Sequence, residues 1–545
     1  GNRASATDPK GATLTFGHDA GNRLVSITPS TGNAITFAYD AAGRRTAMVD
    51  GIGTSTYTYD ALGRVLTYRD AFGQTLAYEY DAVGQRTALV YPDGKGVTYA
   101  FDDAQRLTGV TDWGGRTITY GYSAAAEIVS QVNSNGTSSA WTYDTAGRLT
   151  SLAHTRADKT PLASYAYTLD AVGNRTTVAQ QQPIGPRPVA ANASYGYDSA
   201  NQIHAAGSAT FTSDANGNLT SRTAGSVTTA YAWDVHDRLT QVTDSAAGLT
   251  QYVYNGDGTR VAQVVNGVTT RFVVDPRPKL SQVLVETDGA GAPRARYVHG
   301  LGLVSRVDTG ESVLTYHFDP RGSTVAMTDL NGAVVNSYGY DEFGAVREKQ
   351  EAIAQPFQYV GQFGVMQETN GLVFMRARYY EPELGRFVSV DPQPQIESTQ
   401  DWNWFVYAAN EPVSRVDPEG LAWVGDLGRM LKGSLLHTAA NASLAGATLL
   451  KGTVQLGNIV LPGAPLQGAV DALERKQHDF ATASLYFLAE AQGNPASIAE
   501  AESYAGKLVF GAEVVTAAVG LHSAGTEILK RQETISVVQI LKTYG

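Results

Sequence analysis

The sequence predicts a mainly β protein in which hairpin follows hairpin in one long, twisting sheet, with an α-helical segment at the C-terminal end. Three observations carry this. A phrase of the form aromatic, any residue, aromatic, Asp, two further residues, Gly, then Arg or a polar residue recurs along the first 260 residues, as in Tyr57-Thr58-Tyr59-Asp60-Ala61-Leu62-Gly63-Arg64. Its Asp steps through Asp19, Asp40, Asp60, Asp81 and Asp102, then Ser123 in the same slot, then Asp144, a period of about 21 residues; a fixed period of that size marks a repeat architecture. After Leu421 the phrase stops and Ala, Leu, Gly and Val dominate.

Each repeat builds a hairpin. In Tyr-x-Tyr-Asp the alternating aromatics fall on one face of a strand, because successive side chains of an extended chain point to opposite sides. Asp bonds the backbone two residues on, and Gly accepts the positive φ of a tight turn. Arg64-Val65-Leu66-Thr67-Tyr68 then supplies a return strand of β-branched and aromatic residues. A lone hairpin is marginal in water, so successive units pair edge to edge and twist with a fixed hand.

Later the register loosens, with steps of 26 to Asp170, 28 to Asp198, 16 to Asp214 and 20 to Asp234. Residues 180–194, with Pro183, Pro186 and Pro188, read as an inserted loop. The phrase returns at Phe318-Asp319-Pro320-Arg321-Gly322 and Tyr340-Asp341-Glu342-Phe343-Gly344. Asp214-Ala215-Asn216-Gly217-Asn218 and Asn255-Gly256-Asp257-Gly258 imitate the opening of a calcium loop but lack its closing Glu, and hairpin turns use the same residues.

The chain has 545 residues, 57 Gly, 29 Tyr and only 17% charged residues, the balance of a turn-rich β protein. A net charge of -11 argues against nucleic-acid binding by the shell. With no Cys, disulfides, thiolate metal sites and thiol catalysis are excluded. No cofactor or metal is expected. The first residue is Gly1 and no signal pattern follows it, so the expectation is a fragment or processed piece, with any export signal upstream.

Between residues 295 and 421 a longer series appears: Tyr297-Val298-His299-Gly300-Leu301-Gly302, Gly371-Leu372-Val373-Phe374-Met375-Arg376-Ala377-Arg378-Tyr379-Tyr380, Gly385-Arg386-Phe387-Val388-Ser389-Val390-Asp391-Pro392, and Asn410-Glu411-Pro412-Val413-Ser414-Arg415-Val416-Asp417-Pro418-Glu419-Gly420-Leu421. With the repeats, this series resembles the Rhs/YD-repeat family of bacterial polymorphic toxins and the C subunits of insecticidal toxin complexes. The resemblance implies a hollow β-shell from residues 1–294, an Rhs-associated core domain from 295–421 that closes it, and an enclosed cargo or pre-toxin segment from 422–545. It further implies self-cleavage between Leu421 and Ala422, and a secreted or delivered bacterial effector by an unknown route. Partners expected on this basis are the chain's own C-terminal segment, a secretion-system spike or delivery subunit, and a cognate immunity protein.

Two carboxylates suffice for such a cut if one activates water while the other, protonated, assists the carbonyl oxygen or the leaving nitrogen. Held a few Å apart they divide into those roles. Asp391 and Asp417, each in Val-Asp-Pro, are the candidates, and Arg378 matches a basic position that the family uses beside them. The bland reading of each Asp-Pro is a turn or helix start, and Arg378 beside Tyr379 and Tyr380 also suits a stacked structural cation. The family usually places a Gly-rich stretch after the first Asp-Pro. This chain instead has Gln393 to Gln400 and a separation of 26 residues, with Glu397 and Asp401 as substitute acids.

In residues 422–545, Ala469–Lys476 and Phe480–Leu488 suit helices, and Asn494 or Ser497 a helix cap. Residues 433–470 are apolar, yet Gly457, Pro462, Gly463 and Pro465 interrupt any span of membrane length. His437, His478 and His522 stand alone and form no recognisable toxin site. The competing function is a non-enzymatic, wall-associated or adhesive YD-repeat protein.

Overall fold

In a computed structural model of the chain, the residues described are 2–186, 194–392 and 403–421. Contacts divide the chain into residues 1–428 and 429–545. The expected helical segment 422–545, Ala422, Glu397 and Asp401 lie outside the described residues, as does the apolar stretch 433–470. Among the described residues no helix is long and apolar enough to cross a membrane.

The first sheet has 17 strands, from Ser5–Thr7 to Arg175–Gln181, and the second has 16, from Tyr195–Tyr197 to Val346–Glu351. Within each, every strand pairs antiparallel with its neighbour in sequence, as in Thr54–Tyr59 with Val65–Arg69. The expected boundary at 294/295 falls inside the strand Pro293–Gly300, and the sheet continues beyond it to Glu351.

The Tyr-Asp phrase welds one repeat to the next. Asp60 Oδ1 accepts the N–H groups of Leu62 and Arg64 at 2.9 and 2.8 Å, and its Oδ2 accepts Arg64 Nε at 2.6 Å. Gly63 sits at φ 81 and donates to the Asp60 carbonyl. Arg64 then reaches forward: it donates to the Asp81 carbonyl at 2.7 Å and lies 4.8 Å over the Tyr80 ring, while Tyr80 Oη donates back to the Val65 carbonyl. The same linkage recurs at Arg44 with Tyr59, Arg106 with Tyr122 and Arg238 with Tyr254. The first aromatic of the phrase is buried, as Tyr57, Tyr78 and Tyr120 are. A register shift precedes the second one, at Thr58/Tyr59, Glu79/Tyr80 and Gly121/Tyr122. A bulge at each repeat adds local twist.

Asp214 and Asn255 open hairpin turns of the same kind, with Gly217 and Gly258 bonding back to their carbonyls. The two sheets meet along polar contacts between distant residues. Asp275, fully buried, accepts Tyr78 Oη at 2.8 Å and pairs with Arg86 at 2.7 Å. His154 Nε2 donates to the Phe318 carbonyl at 2.8 Å.

A third sheet of four short strands, Met366–Gln367, Val373–Met375, Arg378–Glu381 and Arg386–Phe387, follows. Its Met366, Phe374 and Tyr379 share a hydrophobic core with Tyr252, Phe272 and Tyr297 of the second sheet. That packing fixes the strand carrying Arg378.

Candidate active site

Val373–Met375 and Arg378–Glu381 form a hairpin in which Met375 pairs with Arg378, so only Arg376 and Ala377 make the turn. From it the Arg378 side chain enters the interior, 3% exposed, with its guanidinium carbon 3.7 Å from the Phe387 ring centroid. Every face of that guanidinium is used. Nε donates to the Gly420 carbonyl, and Nη1 donates to the Trp404 carbonyl at 2.9 Å. Nη2 lies 2.9 Å from Asp391 Oδ2 and 3.5 Å from Asp417 Oδ2.

The structure thus brings the three expected residues, Arg378, Asp391 and Asp417, to one nitrogen. Residues 393–402 lie outside the described residues, but their flanks are closed: the Asp391 N–H donates to the Trp404 carbonyl at 3.2 Å, and Arg386 bridges to Val406. The longer separation between the two aspartates therefore leaves them on a common partner.

Asp417 also touches the chain at the expected cut. Its Oδ1 accepts the Leu421 N–H at 3.1 Å, and the Gly420 N–H reaches the Asp417 carbonyl. Gly420 is at φ 69, and a Cβ there would lie 2.5 Å from the Met375 carbonyl oxygen. Only glycine fits both the left-handed backbone and the close approach. Burial drives the Asp417 carboxyl up to about 6, helped by nearby Asp391 and opposed by Arg378 and the Leu421 N–H. Asp102 of a wall turn behaves in the opposite way: the Arg106 side chain and N–H hold it below its ordinary range.

Residues that sequence reasoning did not single out complete the site. Arg376 grips the Pro418 carbonyl at 2.6 Å, Phe387 forms the face beneath Arg378, and the Trp404 carbonyl takes one of its donors. A second arginine two residues before Arg378, in Arg376-Ala377-Arg378, was the available signal for the first. A cavity of about 350 Å³ borders the site, lined in part by Arg260, Arg376, Arg378, Tyr379 and Pro392. Among the described residues no group of three His, Cys, Asp or Glu is placed to hold a metal ion.

Two long antiparallel sheets of hairpin repeats with a small sheet packed on them define a YD-repeat shell. A profile of the Teneurin YD-shell family matches residues 2–141 and 125–413, and the chain belongs to that family. It is similar to the tRNA3(Ser)-specific nuclease WapA of Bacillus spizizenii, 31% identical over 264 residues, which cover 47% of this chain and 11% of WapA. It is also similar to the toxin protein Tse5 of Pseudomonas aeruginosa, 34% identical over 106 residues, 19% of this chain and 8% of Tse5. The match thus spans about a tenth of the length of these curated relatives. A solved Photorhabdus luminescens Tc holotoxin pore with a mutated TccC3 shares the fold, at a TM-score of 0.58 and 19% identity, over 76% of this chain and 26% of that one. The Rhs/YD-repeat kinship and the β-shell fold inferred from the motifs hold.

Proposed function

We propose that this chain is a toxin-encapsulating YD shell that sequesters its own C-terminal segment, residues 422–545, and cuts itself once, in cis, between Leu421 and Ala422. The observation that carries the reading is Arg378, whose one side chain holds Asp391, Asp417 and the Gly420 carbonyl together. Asp391, paired with Arg378 at 2.9 Å, serves as the base that takes a proton from water. The water oxygen bonds to the Leu421 carbonyl carbon. Asp417, pushed up to about 6, is the group that carries a proton near neutrality, and it supplies that proton as the bond to the Ala422 nitrogen breaks. The products are a Leu421 carboxylate and an Ala422 amine.

Toxins among the relatives support a secreted or delivered bacterial effector, with the C-terminal segment as effector cargo. A delivery subunit or secretion-system spike and a cognate immunity protein belong to the same reading. Intact-mass measurement of the purified chain tests it: two pieces should meet at Leu421/Ala422, and Asp391→Asn or Asp417→Asn should leave one. An uncut wild-type chain, or a cut that neither substitution changes, overturns the cleavage and returns the protein to an adhesive or wall-associated role.

A further inference from the structure

We propose that Arg376 is a positioning residue for the cut, a clamp that sets the segment ending at Leu421 against Asp417; the inference rests on the self-cleavage reading above. The turn it occupies is built against local preference. A two-residue hairpin loop with φ above zero at its first position ordinarily takes Gly, Asn or Asp, yet here Arg376 stands at φ 55. A non-glycine residue held in this region points to a surrounding structure that requires it.

The requirement is visible in its contacts. The half-buried Arg376 side chain donates to three carbonyls from three separate segments, Ser281 at 2.8 Å, Phe363 at 2.5 Å and Pro418 at 2.6 Å, with Ser281 Oγ as a further partner at 3.3 Å. None of these is a carboxylate. Burial lowers its pKa to about 10, with Glu419 opposing that shift, so the cation is held by carbonyl dipoles at a desolvation cost. Such an arrangement is costly as packing and useful as a three-way tie.

What it ties is the turn before the proposed cut. The carbonyls of Pro418, Glu419 and Gly420 accept, in order, from Arg376, the Ala377 N–H at 3.0 Å, and Arg378. Three consecutive donors thus meet three consecutive acceptors, running toward Leu421. Arg376 is the far anchor of that ladder, 2.6 Å from a carbonyl one residue past Asp417. Releasing it lets the 418–420 segment slide, and a displacement near 1 Å costs a reaction of this kind on the order of a hundredfold.

The test follows cutting after uncut chain in urea is diluted into buffers between pH 5 and 8. For Arg376→Gln we expect cutting slowed about a hundredfold. We also expect the half-maximal pH to move below that of wild type, because a loosened turn admits water around Asp417. Arg376→Lys, which keeps one donor for Pro418, should recover part of the rate. A merely structural role would lower the folded fraction and leave the pH profile in place. Arg376→Gln cutting at the wild-type rate, or slowed with an unmoved profile and no recovery in Arg376→Lys, overturns the proposal while cleavage itself stands. A wild-type chain that never cuts overturns both.

Discussion

Asp417 offers the sharpest quantitative handle, because one buried carboxyl sets both a rate and a stability. Its pKa stands at about 6 against an ordinary 3.8. Below pH 3.8 the group is protonated in folded and unfolded chains alike and contributes nothing to the pH dependence. As pH rises from 3.8 through 6 the unfolded chain ionises first, and the folded state loses about 3 kcal/mol that it does not regain at higher pH. If the same proton is delivered during cutting, the rate is highest below pH 6. It then falls about tenfold per pH unit, reaching about a hundredth of its maximum at pH 8. The assay dilutes urea-dissolved, uncut chain into buffers from pH 5 to 8, quenches samples over time and quantifies the two pieces. For stability, Asp391→Asn supplies an uncut background, in which adding Asp417→Asn should raise the unfolding free energy at pH 8 by up to about 3 kcal/mol and leave it unchanged near pH 3.5. A rate that is flat or rising between pH 6 and 8, or a second substitution with the same effect at both pH values, refutes the assignment of the proton to Asp417.

Two further outcomes concern the wall. Arg64→Ala removes a pair with Asp60, a bond to the Asp81 carbonyl and a stack on Tyr80; because the side chain is 26% exposed, the expected loss is about 1 to 2 kcal/mol in equilibrium denaturation, with Arg64→Lys recovering only part because it lacks the planar fork. His154, buried between Ser139 and the Phe318 carbonyl and 5.5 Å from the His317 ring, is lowered by burial to about 4, so stability is intact above pH 6.5 and falls by about 3 kcal/mol as the pH drops from 6.5 through 4. Urea midpoints between pH 7 and 4 should fall less steeply for His154→Gln than for wild type.

Much of the wall was legible because its information is local. Tyr57, Asp60, Gly63 and Arg64 lie within eight residues, and period, alternation and turn chemistry act at that range. The forward reach of Arg64 to Asp81 and Tyr80 was not legible, since it depends on the pairing distance between consecutive hairpins. Nor was the bulge at Glu79/Tyr80, which no residue type in the phrase demands. The buried Asp275 with Tyr78 and Arg86 joins residues 189 and 197 positions apart, a contact set by how the two sheets pass one another. At the candidate site, Asp391, Asp417 and Arg378 were legible through motif resemblance alone. That residues 393–402 leave Asp391 on Arg378 depends on Trp404 and Val406 closing the flanks.

The site reuses the wall turn, keeping its Asp and Gly and replacing its closing Arg. In Asp60-Ala61-Leu62-Gly63-Arg64 the Asp Oδ1 accepts the fifth residue's N–H, Gly bonds back to the Asp carbonyl at positive φ, and Oδ2 is capped by the fifth residue's own guanidinium. Asp417-Pro418-Glu419-Gly420-Leu421 repeats the first two features, with Leu421 bonded to Oδ1 and Gly420 at φ 69. Its fifth residue is Leu, which carries no charge to neutralise Oδ2. That oxygen instead shares, at 3.5 Å, an arginine already closer to a second aspartate, and the turn is buried rather than set at the rim. Those differences turn a carboxylate that its arginine holds ionised into one that burial keeps near half-protonated at pH 6. The geometry that ends each hairpin tightly also holds the Leu421 N–H on the Asp417 carboxyl. Under the proposed cleavage, reactivity at this position needs no new backbone, only the loss of the in-turn arginine and the burial of the carboxyl.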